Sequence, residues 1–165
     1  MKKVIRNGIW ETNSSSMHTV TVRGKYNKPS FFYSGDTISV WLGEYGWSGY
    51  PLDDFIEKLK YALSMVLHTE YPGFSSWEEE FVVDQDILEE LNGYKLLVNA
   101  IREYNKDFKE IIIKRKNGEY YPYGYIDHQS CEDYHSLQEF LDDWNVDAER
   151  FLFDENVVVY IDNDN

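Results

Sequence analysis

The chain has 165 residues, 42% hydrophobic and 17% aromatic, and a formal net charge of −14 from 30 acidic and 16 basic residues. The length suits one domain with a real core, and a composition with 14 Tyr, 9 Phe and 5 Trp excludes a disordered chain. Such acidity argues against general nucleic-acid binding, where neutralising phosphates dominates affinity, and leaves only mimicry of nucleic acid open on that side.

In chain order, Asn7-Gly8 signals a turn between Lys3–Arg6 and Ile9–Glu11. Thr19-Val20-Thr21-Val22-Arg23 alternates strictly and predicts a strand. Phe31–Tyr33 and Thr37–Leu42 flank Ser34-Gly35-Asp36 and predict a hairpin. Behind Pro51, the residues Leu52, Phe55, Ile56, Leu59, Leu63, Val66 and Leu67 follow helical spacing, and Asp53 and Asp54 suit the positive start of that helix. Tyr71-Pro72-Gly73 ends it. A second helical stretch is predicted over 86–105, divided at Gly93. Asn117-Gly118 accepts the positive φ angles of a tight turn, so Glu110–Lys116 and Glu119–Ile126 predict a second hairpin. Ser136-Leu137-Gln138-Glu139 is a capping box that predicts a short helix. Val157–Ile161 is a last apolar strand. The expected fold is a single α+β domain over residues 1–165, with an antiparallel or mixed sheet packed by two to three helices.

Cys131 is the single cysteine, so no intramolecular disulfide is expected, and a reducing, intracellular compartment fits. Met1-Lys2-Lys3-Val4-Ile5-Arg6 is charged without an apolar run behind it, unlike a signal peptide. No apolar run approaches the roughly 18 residues of a membrane span, so no membrane partner is expected. Charge is polarised along the chain. Residues 131–165 hold 11 acids and the base Arg150, a net of −10, whereas residues 1–28 hold six bases and one acid, a net of +5. An acidic surface of this kind suits a basic protein partner; the plainer reading is a surface that keeps the protein in solution.

The stretch Glu11-Thr12-Asn13-Ser14-Ser15-Ser16-Met17-His18 concentrates reactive groups. Period two carried back from the Thr19 strand places Ser16, His18, Val20 and Val22 on one face, with His18 at the edge of the buried side. Three roles are open. Ser14 or Ser16 is a nucleophile with His18 as base and Glu11 as orienter. Alternatively, Asn13 and the serines, Ser15 among them, shape a turn whose amides cup an anion, with Arg6, Arg23 and Lys25 adding field strength. Or the hydroxyls cap strand ends and the run is structural. Neither a Gly-x-Ser-x-Gly elbow nor a P-loop pattern is present.

Residues Arg6 to Thr19, RNGIWETNSSSMHT, resemble the opening of a family of small, uncharacterised proteins of bacteriophages and Firmicutes, which begin with a pattern like R-x-G-x-F-E-T-N-S-S-S-x-H-S followed by a strand. Trp10 stands where Phe is usual and Thr19 where Ser is usual, and Gly43-Glu44-Tyr45-Gly46-Trp47 looks like a second family feature. The resemblance covers about fourteen residues and implies no activity. It implies a context: a phage or mobile-element protein acting in the cytoplasm of a bacterial host cell.

Three further groups stand out. His128, Cys131 and His135 follow an H-x2-C-x3-H pattern that can supply three zinc ligands, although the spacing matches no standard structural site. Tyr121, Tyr123 and Tyr125 alternate onto one face and, with Trp47, offer protein-contact material; a half-buried strand is the alternative. Trp41 is expected in the core. Two functions follow from these features. One is an acidic accessory protein that binds and modulates or inhibits a host or defence protein with a basic surface. The other is a small enzyme or anionic-ligand-binding protein using the Glu11–His18 run. No cofactor is indicated.

Overall fold

The computed structural model describes residues 16–29, 34–46, 51–75, 82–114, 124–126 and 134–163. The first and last described strands, β1 (Ser16–Val22) and β6 (Val157–Asn163), are partners. They run antiparallel, with His18 opposite Ile161, Val20 opposite Val159 and Val22 opposite Val157. The apolar alternation on both strands turns Val20, Val157, Val159 and Ile161 inward, which sets the register, since a slip of one residue would put these side chains in water. Among the described residues, the other edge of β6 is held at one point, where the Leu52 N–H donates to Val159 O at 2.8 Å and the Val159 N–H donates to Leu52 O at 3.1 Å.

Strands β2 (Thr37–Trp41) and β4 (Glu110–Lys114) pair in parallel, as do the two-residue strands β3 (Glu44–Tyr45) and β5 (Tyr125–Ile126). Thr37–Leu42 therefore finds its described partner some seventy residues on, and the Phe31–Tyr33 arm of the expected hairpin lies outside the described residues. The Asn117-Gly118 turn lies outside them too. Of its two flanks, the described parts Glu110–Lys114 and Tyr125–Ile126 are strands, paired with β2 and β3 respectively. Ile38, Val40 and Ile111 point into the core, and Trp41 does not: it is 47% exposed at the end of β2, opposite Lys114, because period two places it on the face away from Ile38 and Val40. On the far side of β4, the Tyr94 hydroxyl accepts the Ile111 N–H at 2.9 Å and donates to Ile111 O at 3.2 Å, so one phenol satisfies both backbone groups of that residue.

The connection from β3 to β4 is helical. Helix α1 (Phe55–Glu70) starts where predicted, with Asp54 Oδ1 accepting the Glu57 N–H at 3.0 Å. It is more than amphipathic: residues 58, 59 and 61–67 are all buried, so α1 is the central helix of the core, while Ile56 on its first turn faces solvent. The second helical stretch resolves into α2 (Gln85–Glu90) and α3 (Asn92–Arg102). The break falls at Leu91, whose backbone is extended (φ −69°, ψ 139°), and Gly93 sits inside the first turn of α3. Gly93 is there for closeness. A Cβ on it would meet Glu70 Oε1 at 2.5 Å and Val66 Cγ2 at 2.6 Å, so only a residue without a side chain lets α3 approach α1 so closely.

Ser136 caps α4 (Leu137–Asp143) as its sequence predicts, its Oγ accepting the Glu139 N–H at 3.2 Å. The returning carboxylate reaches one residue further back than in the usual box: Glu139 Oε2 accepts the His135 N–H at 2.8 Å. A further helix, α5 (Ala148–Phe153), starts at Asp147, whose Oδ1 accepts the Arg150 N–H at 2.7 Å. Its six residues are too few to show a periodicity. With five helices and six strands among the described residues, arranged around one hydrophobic cluster, the protein is α+β.

Candidate functional site

His18 lies on β1 at the edge of the buried face, where the alternation of the sequence puts it. Its Nδ1 is 3.0 Å from the hydroxyl of Tyr61 on α1, and the two rings are 5.7 Å apart. Either Nδ1–H donates to the phenol oxygen or the phenol donates to an unprotonated Nδ1. Tyr61 is fully buried and forms the centre of an aromatic column. Tyr45 of β3 meets it edge to face at 5.3 Å, and Phe140 of α4 lies 5.9 Å away. Phe140 in turn packs edge to face against Tyr134 at 5.4 Å and Phe151 at 6.1 Å. The imidazole thus ties β1, which opens on the last serine of the run and is paired along its length with β6, to α1 and its aromatic column. A phenol that fixes the ring's orientation supplies what a positioned base or ligand-binding histidine needs.

Of the other residues read from the serine run, Ser16 opens β1 opposite Asn163, while Arg6, Glu11, Asn13, Ser14 and Ser15 lie outside the described residues. Arg23 does not join His18. Five residues of extended chain separate them by roughly 16 Å, and an odd separation sends the two side chains to opposite faces. Arg23 is exposed, and its backbone N–H donates to Asn156 O at 3.0 Å.

For Tyr125 the half-buried alternative holds rather than an exposed contact face. It is only 9% exposed and covers Gly46, where a Cβ would meet its Cε1 at 2.5 Å. The strand that carries it is packed on α1, which the local alternation of tyrosines does not reveal. Tyr121, Tyr123 and Trp47 lie outside the described residues, as do His128 and Cys131 of the proposed zinc ligands. His135 is exposed beside α4. Among the described residues, no three His, Cys, Asp or Glu side chains gather into a metal-holding group, and no helix is long and apolar enough to cross a membrane.

A polar cluster joins the basic and acidic ends of the chain. Lys28 Nζ bonds the Glu149 carboxylate at 2.9 Å, Tyr104 donates its hydroxyl to Glu149 Oε1 at 2.9 Å, and the Tyr26 hydroxyl bonds that of Tyr104. Burial pushes the Tyr26 and Tyr104 phenols up. Burial also acts to raise Glu149, but the bonds from Lys28 and Tyr104 outweigh it and hold the carboxyl below its ordinary value.

Two buried charged residues escaped the sequence reading. Lys58 is 1% exposed, and its amine donates to Asp154 O at 2.8 Å and Val157 O at 3.1 Å. Burial brings its pKa down to about 8, although the acids Asp154, Asp53, Asp54 and Glu155 act the other way. Asp154 is buried beside it. Burial acts to raise its carboxyl, and the Asn156 amides and the Arg150 guanidinium more than offset that. A lysine among apolar helical neighbours is ordinarily read as surface, so its spacing carries no signal for this role.

The chain matches no family model, no curated protein and no solved structure.

Proposed function

We propose that the protein is an accessory protein of a phage or mobile element that binds a basic surface on a host or defence protein and modulates or inhibits it. The observation that carries this reading is the placement of charge in the last part of the chain. Glu139, Asp142, Asp143, Asp147 and Glu155, on and around α4 and α5, are exposed. The one base among residues 131–165, Arg150, is turned onto the Asp154 carboxylate at 3.1 Å and Gly24 O at 2.9 Å. Solvent, and any partner, therefore meets carboxylates there. A field of one sign speeds and selects the encounter with a complementary surface, and its effect falls with salt.

The test is affinity capture from a bacterial host lysate with the tagged protein and with a D142K/E155K variant, read by mass spectrometry. Neither position caps a helix. A stoichiometric partner held by the parent, and lost both in the variant and at raised salt, is expected. A partner held equally by both proteins removes the acidic face from the contact.

A second reading, an enzyme or anionic-ligand-binding protein built on the Glu11–His18 run, is supported by the anchoring of the His18 imidazole on Tyr61. Its mark is a partner or small ligand lost only in a Ser16→Ala/His18→Ala variant.

A further inference from the structure

His68 sits two residues before the end of α1, with its Nε2 facing the backbone of β5. That nitrogen is 3.1 Å from Gly124 O and 3.3 Å from Ile126 N. A single ring nitrogen serves one of these groups at a time: its lone pair accepts the Ile126 N–H, or its own N–H donates to the Gly124 carbonyl. The state of the imidazole therefore selects which backbone group of the strand is held.

The surroundings favour the neutral ring. Phe74 meets the imidazole edge to face at 4.9 Å, and burial pushes the His68 pKa below its ordinary value, the Gly124 carbonyl acting weakly the other way. No charged side chain contributes to that shift. Among the described residues, the titratable neighbours are Glu70 on α1, Tyr71 beside Phe74, Tyr125 on β5, and Glu44 and Tyr45 on its partner β3, of which Glu44 is exposed and Tyr45 meets Tyr61 edge to face. Glu70 is engaged by the amides of Gly93 and Leu137, Tyr71 accepts the Asp84 N–H, and Tyr125 covers Gly46.

The described strand is also short. It has two residues, paired in parallel with β3. Gly124 enters it at φ +66°, wedged so that a Cβ would meet Leu42 Cδ1 at 2.8 Å and Ser64 Oγ at 3.1 Å. In a strand this short, one backbone bond is a large share of what resists local opening.

We propose that His68 is an acid-operated latch on β5. The neutral imidazole accepts the Ile126 N–H and keeps the strand on α1. The imidazolium, taking its proton from solvent, must donate from Nε2; it keeps the Gly124 carbonyl, leaves the Ile126 N–H without its acceptor, and loosens the strand. The inference does not depend on the acidic-surface reading.

Amide hydrogen exchange by NMR tests it, read as the protection factor of Ile126 from about pH 5 to about pH 8. In the parent protein, protection is expected to fall as pH drops below 6.5, by up to about tenfold per pH unit until the lowered His68 value is reached, because the opened strand frees the imidazole to bind its proton at the ordinary value. In His68→Gln, one side chain accepts from Ile126 and donates to Gly124 without titrating, so protection should be flat. Three results overturn the latch: a flat Ile126 profile in the parent while the His68 ring titrates, the same pH dependence in H68Q, or a parallel loss at Leu63 and Ile101, which marks unfolding of the whole core. Should H68Q fail to fold, the parent alone decides. The His68 ring nitrogens and the Ile126 amide must then shift with one midpoint, and two separate midpoints refute the coupling.

Discussion

The two ends of α1 carry the same device with opposite charge. Near its start, the Lys58 amine donates to the carbonyls of Asp154 and Val157, tying the helix to the turn between α5 and β6. At its end, the Glu70 carboxylate accepts the Gly93 N–H at 2.9 Å and the Leu137 N–H at 3.2 Å, so it caps α3 and α4 at once. The backbone decides the sign. A helix start offers unsatisfied N–H groups and needs an acceptor, whereas a helix end offers carbonyls and needs a donor. Leu91, which precedes α3, has no side chain able to cap it, and Glu70 supplies that cap from about twenty residues away in sequence. The two ends differ in burial. Lys58 is sealed from water and its charge is disfavoured, while Glu70 is only partly buried.

Breaking the Lys58 end should have the largest effect. Lys58→Met keeps most of the volume but removes the donor to the Val157 carbonyl and leaves Asp154 O with the Val157 N–H alone, an expected loss of about 2–3 kcal/mol in chemical denaturation. The same residue gives the comparison a pH signature. With a folded value of about 8 against an ordinary 10.5, the unfolded chain binds more protons than the folded one between these values. The penalty for holding the charge is full below pH 8, and stability should rise with pH from about 8 to about 10. Above that, the phenols of Tyr26, Tyr94 and Tyr104, all raised by burial, reverse the slope. Thermal melts of K58M across this range should lack the rise; a parental slope that survives the substitution removes Lys58 as its source.

At the other end, Glu70→Gln replaces one acceptor oxygen with an amide donor facing an N–H. A loss of about 1–2 kcal/mol is expected, accompanied by faster exchange of the Gly93 or Leu137 amide. An unchanged denaturation midpoint would mean that water satisfies these amides as well as Glu70 does. The smallest effect should come from Ser136→Ala, a loss of about 1 kcal/mol, since α4 retains Glu70 at its first amide. Paired with E70Q, it should cost more than the sum of the two single changes, because each then removes the remaining cap.

Locally encoded features were legible in the chain. Asp54 and Ser136 cap helices because a short polar side chain reaches an amide two or three residues on, a relation within one helical turn. Strand β1 and the edge position of His18 follow from alternation alone. The partner of His18 does not, because Tyr61 is 43 residues away and reads as one more aromatic on a helix. Trp41 reversed its expected place, and Tyr125 took the half-buried alternative rather than the contact face, for a related reason. Period two says which residues share a face, but what covers that face is set by elements far off in the chain.

By itself, then, the sequence determined the α+β class, the starts of α1 and α4, the apolar alternation of β1, the presence of β6, and the polarised charge, since each depends on neighbours within about one turn or a few alternating positions. Only the tertiary structure decided that β2 and β4 run parallel, that α1 is buried nearly all round, and that Lys58, His68 and Glu70 serve backbone groups on other elements. A side chain's partner across the fold is chosen by which backbone groups packing leaves unsatisfied, and that is known only once the elements have met.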